Sequence, residues 1–385
     1  MIPEGLFDAN QLIEPAGMPE QPLSGVPSCR GVLLFADADA RPVQLLTAAN
    51  LRRTAIARLY PDKPADALSR KADITAITRS VHWRCSHNPL RTSLDYLRIA
   101  RTLYPDTYRT LLNIAPPNCI AINMSADWPD FRLSHSASPA GAATTYGLFP
   151  SRKSAAEFIA ILRDAFGLCR RSDLIDSPDK AAACPYLQMT DCPAPCVGRI
   201  SRDEYLQRIG EAVAAARGEM DAAEARLQAE MQGRAAAMQY EHAAAARQRL
   251  ERLRGLKADA YRWVAPLREL AILHIDRSAR VRRPGAAKAV QTYAAFLIRG
   301  GPLIDLGDFA IDGIPALRAR LTDALAQPPI TPEPLVAADQ LAVVAYHLFR
   351  SRPQGHWLKA TESLPSGDAI RQLLCEDAHG GSGMS

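Results

Sequence analysis

The segment CPYLQMTDCPAPCVG, from Cys184 to Gly198, constrains this chain more tightly than any other. Three cysteines fall within thirteen residues, with prolines at 185, 193 and 195. Proline fixes φ, so the loop loses less entropy on ordering than an ordinary one. Cys169 lies upstream, giving the spacing C-x14-C-x7-C-x3-C over Cys169, Cys184, Cys192 and Cys196. Four thiolates are the donor set of a structural zinc ion or of a [4Fe–4S] cluster. The competing reading is four unrelated core cysteines, since free cysteine is often buried; three of them in one proline-rich run argue against it. Zinc sites usually present two close C-x2-4-C pairs, and only Cys192 and Cys196 come near that. The spacing leans toward iron–sulfur, with zinc as the runner-up. Cys29, Cys85, Cys119 and Cys375 are scattered and read as packing or surface residues.

The start, MIPEGLFDANQLIEP, carries acids where a signal peptide needs basic residues, and it lacks an apolar stretch. No apolar run reaches eighteen residues, so no membrane span is expected. The expected compartment is the cytoplasm, where thiols stay reduced and eight cysteines do not imply disulfides. A chain of 385 residues, 48% hydrophobic, has room for two or three globular domains. Its net charge of +5 permits contact with nucleic acid without establishing it.

Periodicity gives the local elements. GVLLFADADARPVQLLTAANLRR (31–53) holds two apolar runs about a turn, a β-hairpin pattern. AANLRRTAIARLY places Leu51, Ala55 and Leu59 on one helical face, and SLDYLRIARTLY predicts a second helix that stops before Pro105. CIAIN, DWPDFRLS and TYGLFP read as strands, followed by a helix capped by Ser154 that runs into Cys169. From Ser201 to about Leu256 the chain is almost continuously helical, opened by a Ser201–Glu204 capping box. That length predicts a helical hairpin, broken near Gly218 or around 238–240. Gly300–Gly301, between two apolar runs, marks a second β-hairpin.

PYLQMTDCPAPCVGRISRDEY (185–205) resembles the cysteine segment of the UvrC family, the incision subunits of bacterial nucleotide excision repair. The segment keeps that family's x7 and x3 cysteine gaps, while the first gap is longer. YGLFP, DWPDFRL and TYAAFLIRGGPLIDLGDF resemble further family strands. MQYEHAAAARQRLERL is similar to the UVR motif, with Tyr240, Glu241, Ala243, Ala244 and Arg247 in its places. The likeness, with gaps, covers roughly residues 26 to 350. It implies a [4Fe–4S] cluster on Cys169, Cys184, Cys192 and Cys196, and a hairpin that docks on UvrB through Tyr240, Glu241, Ala244 and Arg247. It also implies DNA as a partner and a GIY-YIG nuclease domain near the N-terminus.

That nuclease chemistry needs tyrosines, an arginine and a metal-holding glutamate, which here correspond to Leu33, Gln44, Thr54 and about Tyr96. Leu45–Leu46 and Thr47 replace a Val-Gly pair and a lysine. Leucine cannot orient water and threonine carries no charge, so no catalytic residue is assigned. The resemblance ends before the family's second, RNase H-like nuclease. The expected architecture is α+β and multidomain: a flexible tail at 1–25, a degenerate GIY-YIG-like domain at 26–115 and a cysteine-rich module at 116–200. A UVR helical hairpin at 201–257, an α/β segment at 258–360 and a second flexible tail at 361–385 complete it. The leading expectation is a silent, UvrB-binding accessory or regulator. The alternatives are a nuclease rewired onto Asp95 and His87, or a DNA-binding scaffold using Arg52 and Arg53.

Overall fold

The computed structural model describes residues 2–13, 23–60, 74–135, 143–175, 184–188, 192–285, 287–328, 333–360 and 364–380. Its architecture is α+β, with three sheets among the described residues. The first is antiparallel and comprises β1 (Ala9–Leu12), β2 (Gly31–Ala36), β3 (Pro42–Ala48) and β4 (Ser80–Cys85), in the order β1-β4-β2-β3. β2 is apolar throughout because both its faces are covered. Leu33 and Phe35 pack with Leu51, Ala55 and Leu59 of α1 (Leu51–Leu59). Val32 and Leu34 meet Leu90 and Leu97 of α2 (Pro89–Leu103), which is followed by the short α3 (Tyr108–Leu112). Asp37 closes the β2–β3 turn by accepting the N–H groups of Asp39 and Arg41 at 2.9 and 2.8 Å. Gly31 is required where β2 crosses β4, since a Cβ there would lie 1.9 Å from the Arg84 carbonyl oxygen.

Contrary to the expected loose N-terminus, β1 pairs with β4, Ala9 opposite Trp83, and Leu6 is buried. The edge of β4 offers backbone groups that need partners, and this segment supplies them. Residues 14–22 of that expected tail lie outside the described residues.

The middle sheet comprises β5 (Asn118–Asn123), β6 (Arg132–Ser134), β7 (Ala143–Phe149) and the later β8 (Ala265–Pro266), in the order β6-β5-β7-β8. Only the end of DWPDFRLS forms a strand. α4 (Arg152–Phe166) lies across this sheet, capped by Ser151 and not by Ser154. Ser151 Oγ accepts the Ser154 N–H at 3.1 Å, and Gly167 ends the helix in the left-handed region. Three helices follow where a hairpin was expected: α5 (Arg202–Ala216), α6 (Asp221–Ala236) and α7 (Tyr240–Arg254). Both suggested breaks are used, with Gly218 at φ 97° and Met238 at φ 59°. Ser201 caps α5 as its sequence predicts, accepting the Glu204 N–H.

The third sheet, β11-β10-β9-β12, is built from β9 (Ala271–Val281), β10 (Val290–Arg299), β11 (Leu303–Phe309) and β12 (His356–Lys359). The Gly300–Gly301 turn joins β10 to β11. α8 (Ile314–Ala326) and α9 (Pro334–Phe349) intervene before β12. The expected C-terminal tail is corrected over Gly367–Gly380, which forms α10. Ile370 and Leu374 are buried there against Ile314, Leu317 and Leu321, an apolar site that composition alone does not reveal. Residues 381–385 lie outside the described residues.

The first and third sheets share one core, in which Leu34 and Leu97 join Phe296 and Leu341. Buried Asp339 fastens the joint, accepting from Tyr108 Oη at 2.6 Å and from Arg109 at 3.0 and 2.7 Å. Two histidines are buried nearby. Burial holds His274, stacked 4.0 Å from Trp357, down to about 3. Burial, then Arg350 and Arg30, holds His347 down to about 4. The unfolded chain binds these protons near pH 6.5 while the fold refuses them. Stability is therefore full above that pH and falls as pH drops toward 4, by up to about 1.4 kcal/mol per pH unit for each histidine. Melting temperatures taken from pH 7.5 to 5 should decline, and His347→Gln should flatten the decline. An unchanged slope in that variant would assign the acid sensitivity to other groups.

Candidate functional site

The end of α4 delivers the first cysteine. Gly167 turns the chain, Leu168 is buried, and Cys169 follows with its sulfur accepting the Arg171 N–H at 3.4 Å. Ser172 then donates to Asp130, which Arg163 also binds at 2.9 and 2.8 Å. This fixes the departing chain to the Trp128–Phe131 segment. Tyr205 of α5 closes the wall, with its hydroxyl on the Pro129 carbonyl at 3.3 Å and its ring edge-on to Trp128.

Cys184 and Cys196 are buried and Cys192 is half-buried. Cys196 sits in a single turn, Pro195–Val197, flanked by Ala194 and Gly198 at φ 47° and 73°. Residues 176–183 and 189–191 of this loop lie outside the described residues. Burial pushes the Cys169 thiol up to about 11, with Cys192 and Cys196 near enough to add to the effect. Burial likewise raises Cys196, reinforced by Cys192 and Cys184. The fold therefore brings all four cysteines into one neighbourhood.

As bare thiols Cys169 and Cys196 resist ionisation; a bound cation would reverse that preference. Among the described residues, the one trio of ligand atoms mutually within 4.8 Å lies elsewhere. A single zinc with bonds of about 2.3 Å would hold its thiolates roughly 3.8 Å apart. All four donors are sulfur, a set that either a zinc ion or an iron–sulfur core takes.

The helices α6 and α7 form an antiparallel hairpin beside this loop. Leu227, Leu250 and Leu253 join the core that contains Cys169 and Cys196, and Ala243 and Ala246 are buried as well. Asp164 of α4 pairs with Arg170 from the cysteine loop and with Arg252 from α7. Arg249 reaches Glu230 at 2.6 Å, and Lys257 reaches Glu224 at 2.6 Å. The opposite side is open: Tyr240, Glu241, Ala244 and Arg247 are all exposed, Tyr240 to 68%.

The positions expected to carry nuclease chemistry fall on the first sheet. Leu33 is fully buried. Gln44 accepts from Arg58 at 3.0 and 2.5 Å, and Tyr96 donates to the Leu45 carbonyl at 3.3 Å. Asp95 is buried, accepting from Arg84 Nε at 2.8 Å and Ser86 Oγ at 2.6 Å. Arg52 braces the Ser24–Val26 turn through bonds of 2.7 and 2.6 Å, while Arg53 is exposed. His87 lies beside Cys29 and Cys85.

Residues 119–215, from β5 through α5, match the family described as UvrC/Cho excinuclease, middle domain. The chain is a relative of the UvrC family. The UvrABC system protein C of Paramagnetospirillum magneticum is 28% identical over 62% of this chain and 37% of that protein. That of Syntrophus aciditrophicus is 32% identical over 34% of this chain and 21% of its own length. That of Cereibacter sphaeroides is 39% identical over 18% and 11%. The match thus spans well under two thirds of these UvrC relatives. No solved structure matches the chain.

The UvrC-like segment sits where the buried cysteines are, so the sequence likeness and the geometry converge on one part of the fold. Two features were missed from sequence. The Asp164 bridge carries no local signal, whereas the C-x-H spacing of Cys85 and His87 did offer one. Asp95→Ala tests whether that carboxylate is structural. Removing it leaves Ser86 Oγ unpaired and Arg84 with only its longer Asp8 contact at 3.6 Å, which should cost about 2 kcal/mol and lower the melting temperature. An unchanged melting curve with loss of a metal-dependent cleavage would return Asp95 to a catalytic role.

Proposed function

We propose that this chain serves nucleotide excision repair as a catalytically silent UvrC-like accessory or regulator. In this reading it docks on UvrB through the exposed side of α7 and carries a [4Fe–4S] cluster on Cys169, Cys184, Cys192 and Cys196. The observation that carries the proposal is that one unit joins two devices: buried cysteines on the inside and an exposed aromatic on the outside. The first sheet supports silence. Buried Asp95, on α2 beside the sheet, is paired with Arg84, and the remaining expected positions hold Leu33, Gln44, Thr47, Thr54 and Tyr96. Phosphodiester cleavage needs a metal-held water and positive charge beside the phosphate, and none of these side chains supplies either.

The hairpin chemistry suits a partner helix. Ala244 permits close approach, Tyr240 offers an aromatic anchor and Arg247 a planar donor fork. Arg247 now meets only exposed Glu251, at 3.1 Å, a pair of little worth that a partner carboxylate could replace. Tyr240→Ala should weaken UvrB binding by about 2 kcal/mol, roughly thirtyfold, without changing the melting temperature, because the ring is exposed. Wild-type protein that fails to bind UvrB at tens of micromolar would remove the docking role. Prepared without oxygen, the protein should carry about four irons per chain, lost in Cys196→Ala. Stoichiometric zinc on these cysteines with no iron would contradict the cluster. Damaged duplex should stay uncut with magnesium or manganese; metal-dependent incision would contradict silence.

A further inference from the structure

The cysteines left over from the loop supply a second, separate constellation. Cys29 and Cys85 lie with their sulfurs 3.0 Å apart, and a ring nitrogen of His87 is within 4.8 Å of both. All three lie at one end of the first sheet, remote in sequence from the four-cysteine loop. Cys29 lies two residues before β2, and Cys85 ends β4 opposite Gly31. His87 follows in a tight turn, so the approach to β2, the end of β4 and the turn after it converge on a point.

The backbone at this point is fixed from several sides. The Cys29 carbonyl accepts the Leu51 N–H at 2.8 Å, and the Arg30 carbonyl accepts both Ser86 and His87 N–H groups at 2.9 and 3.1 Å. These last two bonds hold His87 in the left-handed region at φ 56°, a conformation that costs a non-glycine residue energy. The Cys85 N–H donates to Asp8 Oδ2 at 2.6 Å, so a carboxylate flanks the trio. The donors are therefore placed on rigid elements before any ligand arrives, as metal sites require.

We propose that Cys29, Cys85 and His87 bind a zinc ion, with the fourth position taken by water beside Asp8. Two thiolates and one imidazole are a preferred donor set for zinc. On one zinc the two sulfurs would stand roughly 3.8 Å apart, so they need to separate by less than an ångström. Binding releases the two thiol protons to solvent, and two thiolates cancel the charge of Zn2+, leaving a half-buried site close to neutral. The rival outcome is a disulfide, which would require the sulfurs to close to about 2.05 Å. It would give His87 no part, although the turn brings that ring to the same point. The ion would clip the N-terminal segment to the end of β4, independently of the function proposed above.

Elemental analysis of the full chain, purified without oxygen and treated with a reductant, tests the site. The expected result is one zinc per chain that Cys29→Ser and Cys85→Ser each lose and Cys196→Ala retains. That last comparison keeps the result separate from the fate of the four-cysteine loop. His87 is exposed, so His87→Ala should fold normally and bind zinc at least tenfold more weakly, read by competition with a chromogenic chelator. Cobalt(II) added to the zinc-free protein should give thiolate charge-transfer absorption in the near ultraviolet, absent in Cys85→Ser. Wild-type protein without zinc, zinc content unaltered by these substitutions, or a Cys29–Cys85 disulfide found in the non-reduced protein would each overturn the proposal.

Discussion

The apolar face of α4 is the surface on which the middle of this molecule is assembled. Phe158, Leu162 and Phe166 lie in one core with Ile120 and Tyr146 of the sheet, Ile209 of α5 and Leu250 and Leu253 of the hairpin. Each such side chain contributes about 1.5–3 kcal/mol when fully buried. The same core contains Cys169 and Cys196. The cysteine loop is too proline-rich and short of apolar residues to hold itself, so it borrows this surface. Asp164 reinforces the arrangement from the polar side, pairing with one arginine of the loop and one of α7. The hairpin and the cysteines therefore stand or fall together.

The first sheet shows the opposite economy. A nuclease keeps charged groups unpaired and pointed at solvent, at a cost in stability. Here the polar groups have been absorbed into the fold. Asp95 satisfies Arg84 and Ser86, Gln44 satisfies Arg58, and Arg52 secures the turn before β2. Arg91 on α2 binds Asp305 and Asp308 of β11, and Asp339 on α9 binds Tyr108 and Arg109. These pairs weld the first sheet to the third.

Local chemistry made much of this legible. The β2–β3 hairpin, α1, α2, the Ser201 cap and the glycine turn at Gly300–Gly301 follow from turn residues and apolar spacing, and each is present. What escaped was set by distant partners. β1 forms only because β4 has an open edge, and α10 only because Ile314, Leu317 and Leu321 leave an apolar site for Ile370 and Leu374. Composition reads both segments as loose. In the candidate site the four-cysteine spacing was visible, while the meeting of Cys29 with Cys85 depended on the register of β2 against β4. The spacing of cysteines along the chain does not show which strand pairs with which, and β2 and β4 are remote in sequence.

The dependence of the hairpin on the cysteine loop is the claim most open to a direct measurement. Amide hydrogen exchange on the full chain, comparing wild type with Cys196→Ala under oxygen-free conditions, reads it residue by residue. A shared core predicts that protection falls in the cysteine loop, at the end of α4 and along α7 around Leu250 and Leu253, while β9 and β10 keep theirs. Exchange that accelerates only between Cys184 and Gly198, with α7 as protected as before, would contradict the account.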